Sequence, residues 1–261
     1  MKRYLKFLQI FVANSLKLET EYRVQFVLSA LNSLVILSAG FIVIQVMFNH
    51  TKSVGGWSFY ETLAILGVFM IIESFINCVV EPNLTQIPTD IHTGYMDFNL
   101  LKPVNGQFLV SFYRINIWSI LDLFLGVGVL SYSMIILGTA NIKNFLLSLM
   151  LLFSGAVIIY SVWFLLSITS FWFVKVSQIS EIFLTFFSAG RFPASAYPRW
   201  ARLFLTFIVP IVFATTVPAS AAVGRLDWKM ALGSLLLAGI FLLLSNLAWR
   251  IAVANYTSAS S

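Results

Sequence analysis

The chain has 261 residues, 59% of them hydrophobic and only 10% charged, with a mean hydropathy of +0.92. Soluble domains carry about 25% charged residues, so this composition excludes an aqueous globular domain and points to lipid as the solvent. The net charge of +6 would suggest nucleic acid in a soluble protein; in a chain this apolar it reads as loop charge facing anionic headgroups, with no nucleic-acid partner expected.

The length fits one all-α membrane domain of six transmembrane helices with short connections, and leaves no room for a sizeable soluble domain. Residues 1–23 predict an amphipathic helix: Leu5, Leu8, Phe11, Val12 and Leu16 recur near helical spacing, and Lys2, Lys6 and Lys17 supply charge. Such a helix can lie in the headgroup plane; the alternative is a short tail leading into the first span. Lys6 and Gln9 interrupt the apolar stretch, so it does not read as a signal peptide.

The first span is predicted at about Val24 to Phe48, and the second at about Phe59 to Val80, with Glu73 near its middle. Residues 83–106 differ in character, carrying Asp90, His92, Gly94, Asp97, Lys102 and Pro103; they predict a loop outside lipid. A third span is expected over about Phe108 to Leu137, with Arg114 and Asp122 on a similar face. A fourth follows over about Phe145 to Phe173. A short fifth, Ile182 to Gly190, gains length if 174–181 continues the same helix. Residues 191–223 carry Arg191-Phe192-Pro193 and Tyr197-Pro198-Arg199, then an apolar run from Leu203 to Val223 broken by Pro210 and Pro218, which predicts a broken, partly re-entrant segment. The last span covers about Met230 to Ala254.

Charges inside lipid are costly and usually find partners. Glu73, Arg114 and Asp122 therefore read either as interhelical glue, with Glu73 pairing Arg114 or another polar group, or as members of a proton or ion relay. Phe183, Phe186 and Phe187 read either as packing or as the wall of a greasy substrate path. Most tryptophans fall near predicted span ends, as in an interfacial belt. One cysteine, Cys78, precludes an intrachain disulfide, and His50 and His92 lie in different connections; no metal site, bound cofactor or catalytic group is expected. With the amino terminus in the cytoplasm, nine of the 16 basic side chains fall inside and seven outside. The dense amino-terminal cluster favours cytoplasmic termini in an inner or plasma membrane.

At Thr89 to Asn105 the chain reads TDIHTGYMDFNLLKPVN. This resembles the G-x-x-D-x-x-L-L-[KR]-P segment of the six-helix ABC-2 permease family. Trp57-Ser58-Phe59-Tyr60-Glu61 looks like the start of that family's second span. Ser188-Ala189-Gly190-Arg191-Phe192-Pro193, followed by Tyr197-Pro198, is similar to its signature after the fifth span; Pro193-Ala194-Ser195-Ala196-Tyr197-Pro198 departs from the stretch common there.

The resemblance covers nearly the whole chain and implies a permease paired with a second one, identical or paralogous, and with two copies of an ATPase subunit. Residues 83–106 would be the cytoplasmic coupling loop, with Asp90, Gly94, Asp97, Leu100, Leu101, Lys102 and Pro103 as contact or shaping residues. Gly190, Arg191, Pro193 and Pro198 would mark the outer face. Export of an amphipathic or lipid-like compound by alternating access is the implied function.

The sequence has no G-x-x-x-x-G-K-[ST] motif, so ATP and magnesium would be held by the partner ATPase. An ion-driven transporter or channel is the first alternative, with Glu73, Asp122 and Glu181 as coupling groups; the sequence has no visible inverted repeat to support it. A membrane enzyme is the second, and there is no clustered His, Asp or Ser and no G-x-S-x-G. The plainer alternative for 83–106 is a turn shaped by its Gly, Asp and Pro.

Overall fold

The computed structural model describes residues 2–20, 23–173 and 177–256; among them the chain is helical, without strands beyond a single bridge between Val54 and Trp57. Helix α1 (Lys2–Thr20) leads to α2 (Arg23–His50) and α3 (Phe59–Phe75). A wide π turn, Ile76–Val80, carries α3 on into three short helices, α4 (Glu81–Leu84), α5 (Gln86–His92) and α6 (Tyr95–Leu100). Then come α7 (Gly106–Phe112), α8 (Ile120–Ile136), α9 (Ile142–Ile168) and α10 (Ser177–Ser188). The last are α11 (Arg199–Leu203), α12 (Ile211–Ala214), α13 (Thr216–Ala222) and α14 (Trp228–Ala254).

Among the described residues five stretches are long and apolar enough to cross a membrane: Val27–His50, Phe59–His92, Ile117–Ile136, Ile142–Phe171 and Trp228–Ala254. A sixth arises if Arg199–Ile208 and Ile211–Ala222, bent by 73° at Pro210, are one span. The fifth span expected from sequence is instead α10, a 12-residue helix. At about 1.5 Å per residue it is shorter than the roughly 30 Å apolar core. Of its expected extension over 174–181, residues 177–181 do continue the helix, while 174–176 fall outside the described residues.

The expected single helix over Phe108 to Leu137 is two. Between α7 and α8 the backbone N–H groups turn away from the i−4 carbonyls. Arg114 N donates to Asn83 Oδ1 (2.9 Å), Ile115 N to Ser15 Oγ (3.2 Å) and Asn116 N to the Cys78 carbonyl (2.9 Å). Asn83 Nδ2 also donates to the Arg114 carbonyl at 2.6 Å, gripping that peptide from both sides. Side chains thus replace the helical ladder where no proline forces a break.

Helix α3 is the axis of the bundle and is buried along most of its length. It packs on α8 at backbone distance through Gly67 and Gly126: a Cβ on Gly67 would stand 2.7 Å from Leu130 N, and one on Gly126 2.9 Å from the Gly67 carbonyl. On its other side α9 carries Gly155 against Ala214 of α12, where a Cβ would meet Ala214 Cα at 2.6 Å. Ser154 reaches across to the carbonyl of Ser234 on α14 (2.9 Å). Small residues at helix contacts are how apolar helices associate where lipid removes the hydrophobic drive. The core between them is apolar, with Phe69, Ile72, Trp163 and Phe164 fully buried.

Candidate functional site

At one end of the bundle, residues 81–105 form a compact foot of three short helices rather than a loop. A polar network holds it. Asp90 accepts from Gln86 Nε2 (3.2 Å) and Asn99 Nδ2 (3.2 Å); Asn99 in turn accepts from Lys102 Nζ (3.0 Å), and Gln86 Oε1 from Arg114 Nη1 (3.1 Å). Gly94 sits between α5 and α6 at φ +73°, where a side chain is strained, although open space surrounds it. Asp97 lies in the first turn of α6. Its carboxylate neighbours Tyr256, just past the end of α14; burial and this negative charge push the Tyr256 phenol above its ordinary value.

The two leucines of the foot part company. Leu100 packs inward beside Gly106, close to Trp249 of α14, whereas Leu101 is 81% exposed. Tyr95 and Phe98, six and three residues before Leu101, are exposed as well, so α6 presents Tyr95, Phe98 and Leu101 along one outward stripe. Of the two leucines expected at the coupling loop, only Leu101 is exposed; Phe98, which the apolar pattern alone did not single out, is exposed beside it. Pro103 follows, exposed, and Asn105 caps α7 by accepting from Phe108 N (3.0 Å).

Helix α1 leans on this end. Phe11 is buried against Tyr113 (ring centroids 5.4 Å), and Tyr4 meets Phe108 edge-on (4.9 Å). Leu5, Val12 and Leu16 remain exposed along one apolar face that the described residues do not cover, and Ile10 is exposed to one side of it. Lys102 Nζ stands over the Tyr113 ring at 5.3 Å.

Within the bundle Glu73 meets Arg191, not Arg114: Arg191 Nη2 lies 3.4 Å from Glu73 Oε1, both side chains half-buried, and the guanidinium stacks over Phe69. Arg114 is committed to the foot, because the break after α7 turns it out of the span. Asp122, on α8, falls on the far side of that break, so the two do not share a helical face. Gly190 lets the turn after α10 press on α12, where a Cβ would meet Ile211 Cγ2 at 2.8 Å. Pro193 is buried, and the exposed Pro198 caps α11. Tyr197 donates to the Ala189 carbonyl (2.8 Å); burial pushes its phenol up, so it stays a donor.

The three phenylalanines of α10 do not form one wall. Phe187 stacks on Phe69 and Phe183 packs on Trp163, both buried; only Phe186 is exposed, beside Phe204. An open apolar feature lies elsewhere, in a groove of about 900 Å³ between α3 and α8 on one side and α9 and α14 on the other. Phe75, Cys78, Leu123, Phe153 and Leu242 line it. Its two serines spend their hydroxyls inside the bundle, Ser74 on the Ser119 carbonyl (2.6 Å) and Ser154 on Ser234, so apart from the Cys78 thiol the groove is lined almost wholly by hydrocarbon.

At the far end three connections are clamped together. Arg225 Nη1 donates to Glu61 Oε2 (2.9 Å) and to the Gly56 carbonyl (2.9 Å), and Ser195 Oγ to the Gly55 carbonyl (2.6 Å). Among the described residues no group of three or more His, Cys, Asp or Glu is placed to hold a metal.

A multi-pass helical bundle with a structured polar foot and an apolar groove is the architecture of a membrane permease. The chain belongs to a known family of these: a family profile described as "ABC-2 family transporter protein" matches residues 34–260. The protein is thus a membrane component of an ABC transporter, a transport subunit. No curated protein is similar enough to be matched to it.

Proposed function

We propose that the chain is the permease subunit of an ATP-driven exporter, and that the foot at 81–105 is where a separate ATPase engages it. The observation that carries this is the stripe Tyr95, Phe98 and Leu101: three large apolar side chains exposed on a foot otherwise tied down by polar bonds. Exposed aromatic and apolar anchors on a rigid support are what a binding hot spot needs. The sequence carries no phosphate-binding loop of its own, so ATP and magnesium belong to the partner.

In this reading two ATPase copies serve two permeases, identical or paralogous, in an inner or plasma membrane. The foot and both termini face the cytoplasm. The exposed apolar face of α1 rests in the headgroup layer, its lysines toward anionic lipid. ATP-driven closure of the ATPases moves the foot, and the spans follow as rigid bodies to alternate access between the permease halves. The hydrocarbon lining of the groove supports an amphipathic or lipid-like cargo. Glu73 and Arg191 act as interhelical glue, since a relay needs several convergent titratable groups.

The test is capture of the co-expressed ATPase by the tagged chain. Leu101→Asp places a charge in the stripe and should abolish capture; Phe98→Ala should weaken it by at least about tenfold, as hot-spot truncations of roughly 1.4 kcal/mol or more do. Asp97→Ala should weaken it less, because Asp97 also faces Tyr256. Unchanged capture in all three removes the foot from the partner contact. Cargo movement in proteoliposomes driven by a proton gradient without ATP would overturn the ATP-driven reading.

A further inference from the structure

Helix α7 connects the foot to the rest of the bundle, and it is held at both ends. Its C-terminal end is fixed to the α3–α4 junction by the grip of Asn83 on the Arg114 peptide. Its other end meets α9 and α14 through a buried polar node. Gln107 Nε2 donates to Tyr160 Oη (3.5 Å) and to Ser245 Oγ (3.4 Å), while Ser111 Oγ and Tyr160 Oη share a short bond of 2.7 Å. Gln107 is 6% exposed, Ser111 1% and Ser245 fully buried.

The node is under-bonded for its burial. Both Gln107 bonds are long, and its Oε1 is buried without a partner. A buried amide oxygen left unpaired costs free energy. The amides and carboxylate of the foot fare better: Asn83, Asn99 and Asp90 each have both polar side-chain atoms bonded. Ser245 Oγ spends its proton on the Leu242 carbonyl (2.9 Å) and Ser111 Oγ its own on the Gln107 carbonyl (2.7 Å), so the Tyr160 proton goes to Ser111; a second arrangement, with Gln107 Oε1 turned to these hydroxyls, is reached by rotating the amide and re-aiming those protons together. That is the property of a two-state element.

Resting on the ATPase-coupled reading, we propose that Gln107, Ser111, Tyr160 and Ser245 are the positioning residues that pass motion of the foot to α9 and α14. Helices α3 and α8 are locked backbone to backbone at Gly67 and Gly126, so they move as one wall of the apolar groove. Helices α9 and α14 are the opposite wall, bonded at Ser154 and Ser234. The foot grips the first wall directly through Asn83. It reaches the second at this node, beside Gly106, where Leu100 and Trp249 both lie close, and at Tyr256. Repartnering of Gln107 shifts one wall against the other and changes the width of the groove.

The chain's single cysteine reports that width, because Cys78 lines the groove. The experiment uses the permease–ATPase complex in vesicles of bacterial polar lipid. It compares Cys78 labelling by N-ethylmaleimide without nucleotide and after trapping with ATP and vanadate. Wild type should show a nucleotide-dependent change in rate. In Tyr160→Phe and Gln107→Leu that change should shrink by roughly 2- to 30-fold, the span of coupling effects from residues that touch neither ligand. ATPase capture and thermal midpoint should stay near wild type, which separates lost transmission from lost folding. Gln107→Asn, which keeps the amide donor that makes both bonds, should retain more of the change than Gln107→Leu.

A wild-type change preserved in full in both Tyr160→Phe and Gln107→Leu overturns the proposal, as does a wild-type rate indifferent to nucleotide. The two readings fail differently. A wild-type chain that captures no ATPase removes both, whereas intact capture with an unaltered nucleotide response in the variants removes the node alone.

Discussion

Glu73 and Arg191 show how much of a membrane protein's electrostatics is decided by where a helix stops. Glu73 is costly in hydrocarbon without a counter-charge, and on sequence spacing Arg114 is the nearest basic group along the next span. The side chains of Asn83 and Ser15 capture the peptides at 114 and 115, and the span breaks there. Arg114 leaves for the foot, and Arg191, more than a hundred residues from Glu73 in sequence, takes the place. The pair is a specific, testable contact. Arg191→Leu and Glu73→Leu should each lower the thermal midpoint in detergent. The double variant should recover part of the loss, with a coupling energy of about 0.5–3 kcal/mol. Strict additivity in that cycle would show that the two charges do not stabilise one another.

At the scale of elements, the contact between α3 and α8 is set by two glycines rather than by interlocking large side chains. A methyl group at 67 would collide with backbone atoms of α8 at 2.7–3.1 Å, and backbone cannot move aside as a flexible side chain can. Gly67→Ala is therefore expected to destabilise the protein by about 1–3 kcal/mol, as overpacking does. Gly128→Ala, on the same pair of helices but with open space around it, should be within experimental error of wild type. Equal thermal midpoints for the two variants would remove the close-packing argument. The amphipathic face of α1, the long apolar runs and the proline break at 210 were legible in sequence because each depends on local pattern or local chemistry. The division of the third span was not: its cause is hydrogen bonding by Asn83, Ser15 and the Cys78 carbonyl, partners 31, 100 and 38 residues away along the chain. The foot was readable as non-lipid and as family-like. That Leu100 turns inward while Phe98 turns outward depends on α6 being a helix packed against α7 and α14, which spacing in an assumed loop cannot reveal. Phe183 and Phe187 carried no sign, in their own stretch, that Trp163 and Phe69 would cover them.

On the scale of the whole molecule, the polar structures lie at opposite ends. The foot network is at one, and the Arg225, Glu61 and Ser195 clamp is at the other, with the apolar groove between. This arrangement requires the two ends to face different compartments. In a Cys78→Ser background, a membrane-impermeant maleimide should label Lys52→Cys on intact cells, and Thr93→Cys only after permeabilisation. Labelling of Thr93→Cys from outside would invert the orientation and detach the foot from any cytoplasmic ATPase.

The π turn at Ile76–Val80 bears on how such a chain can vary. Each residue of a regular α-helix advances the chain by about 100° around the axis, so a one-residue change in a straight rod would swing Asn83 off Arg114 and re-aim the whole end-piece. A wide turn is the imprint of one surplus residue accommodated inside a helix. Span thickness and the heading of the end-piece are therefore separately adjustable, with Ile76–Val80 as the slack between them.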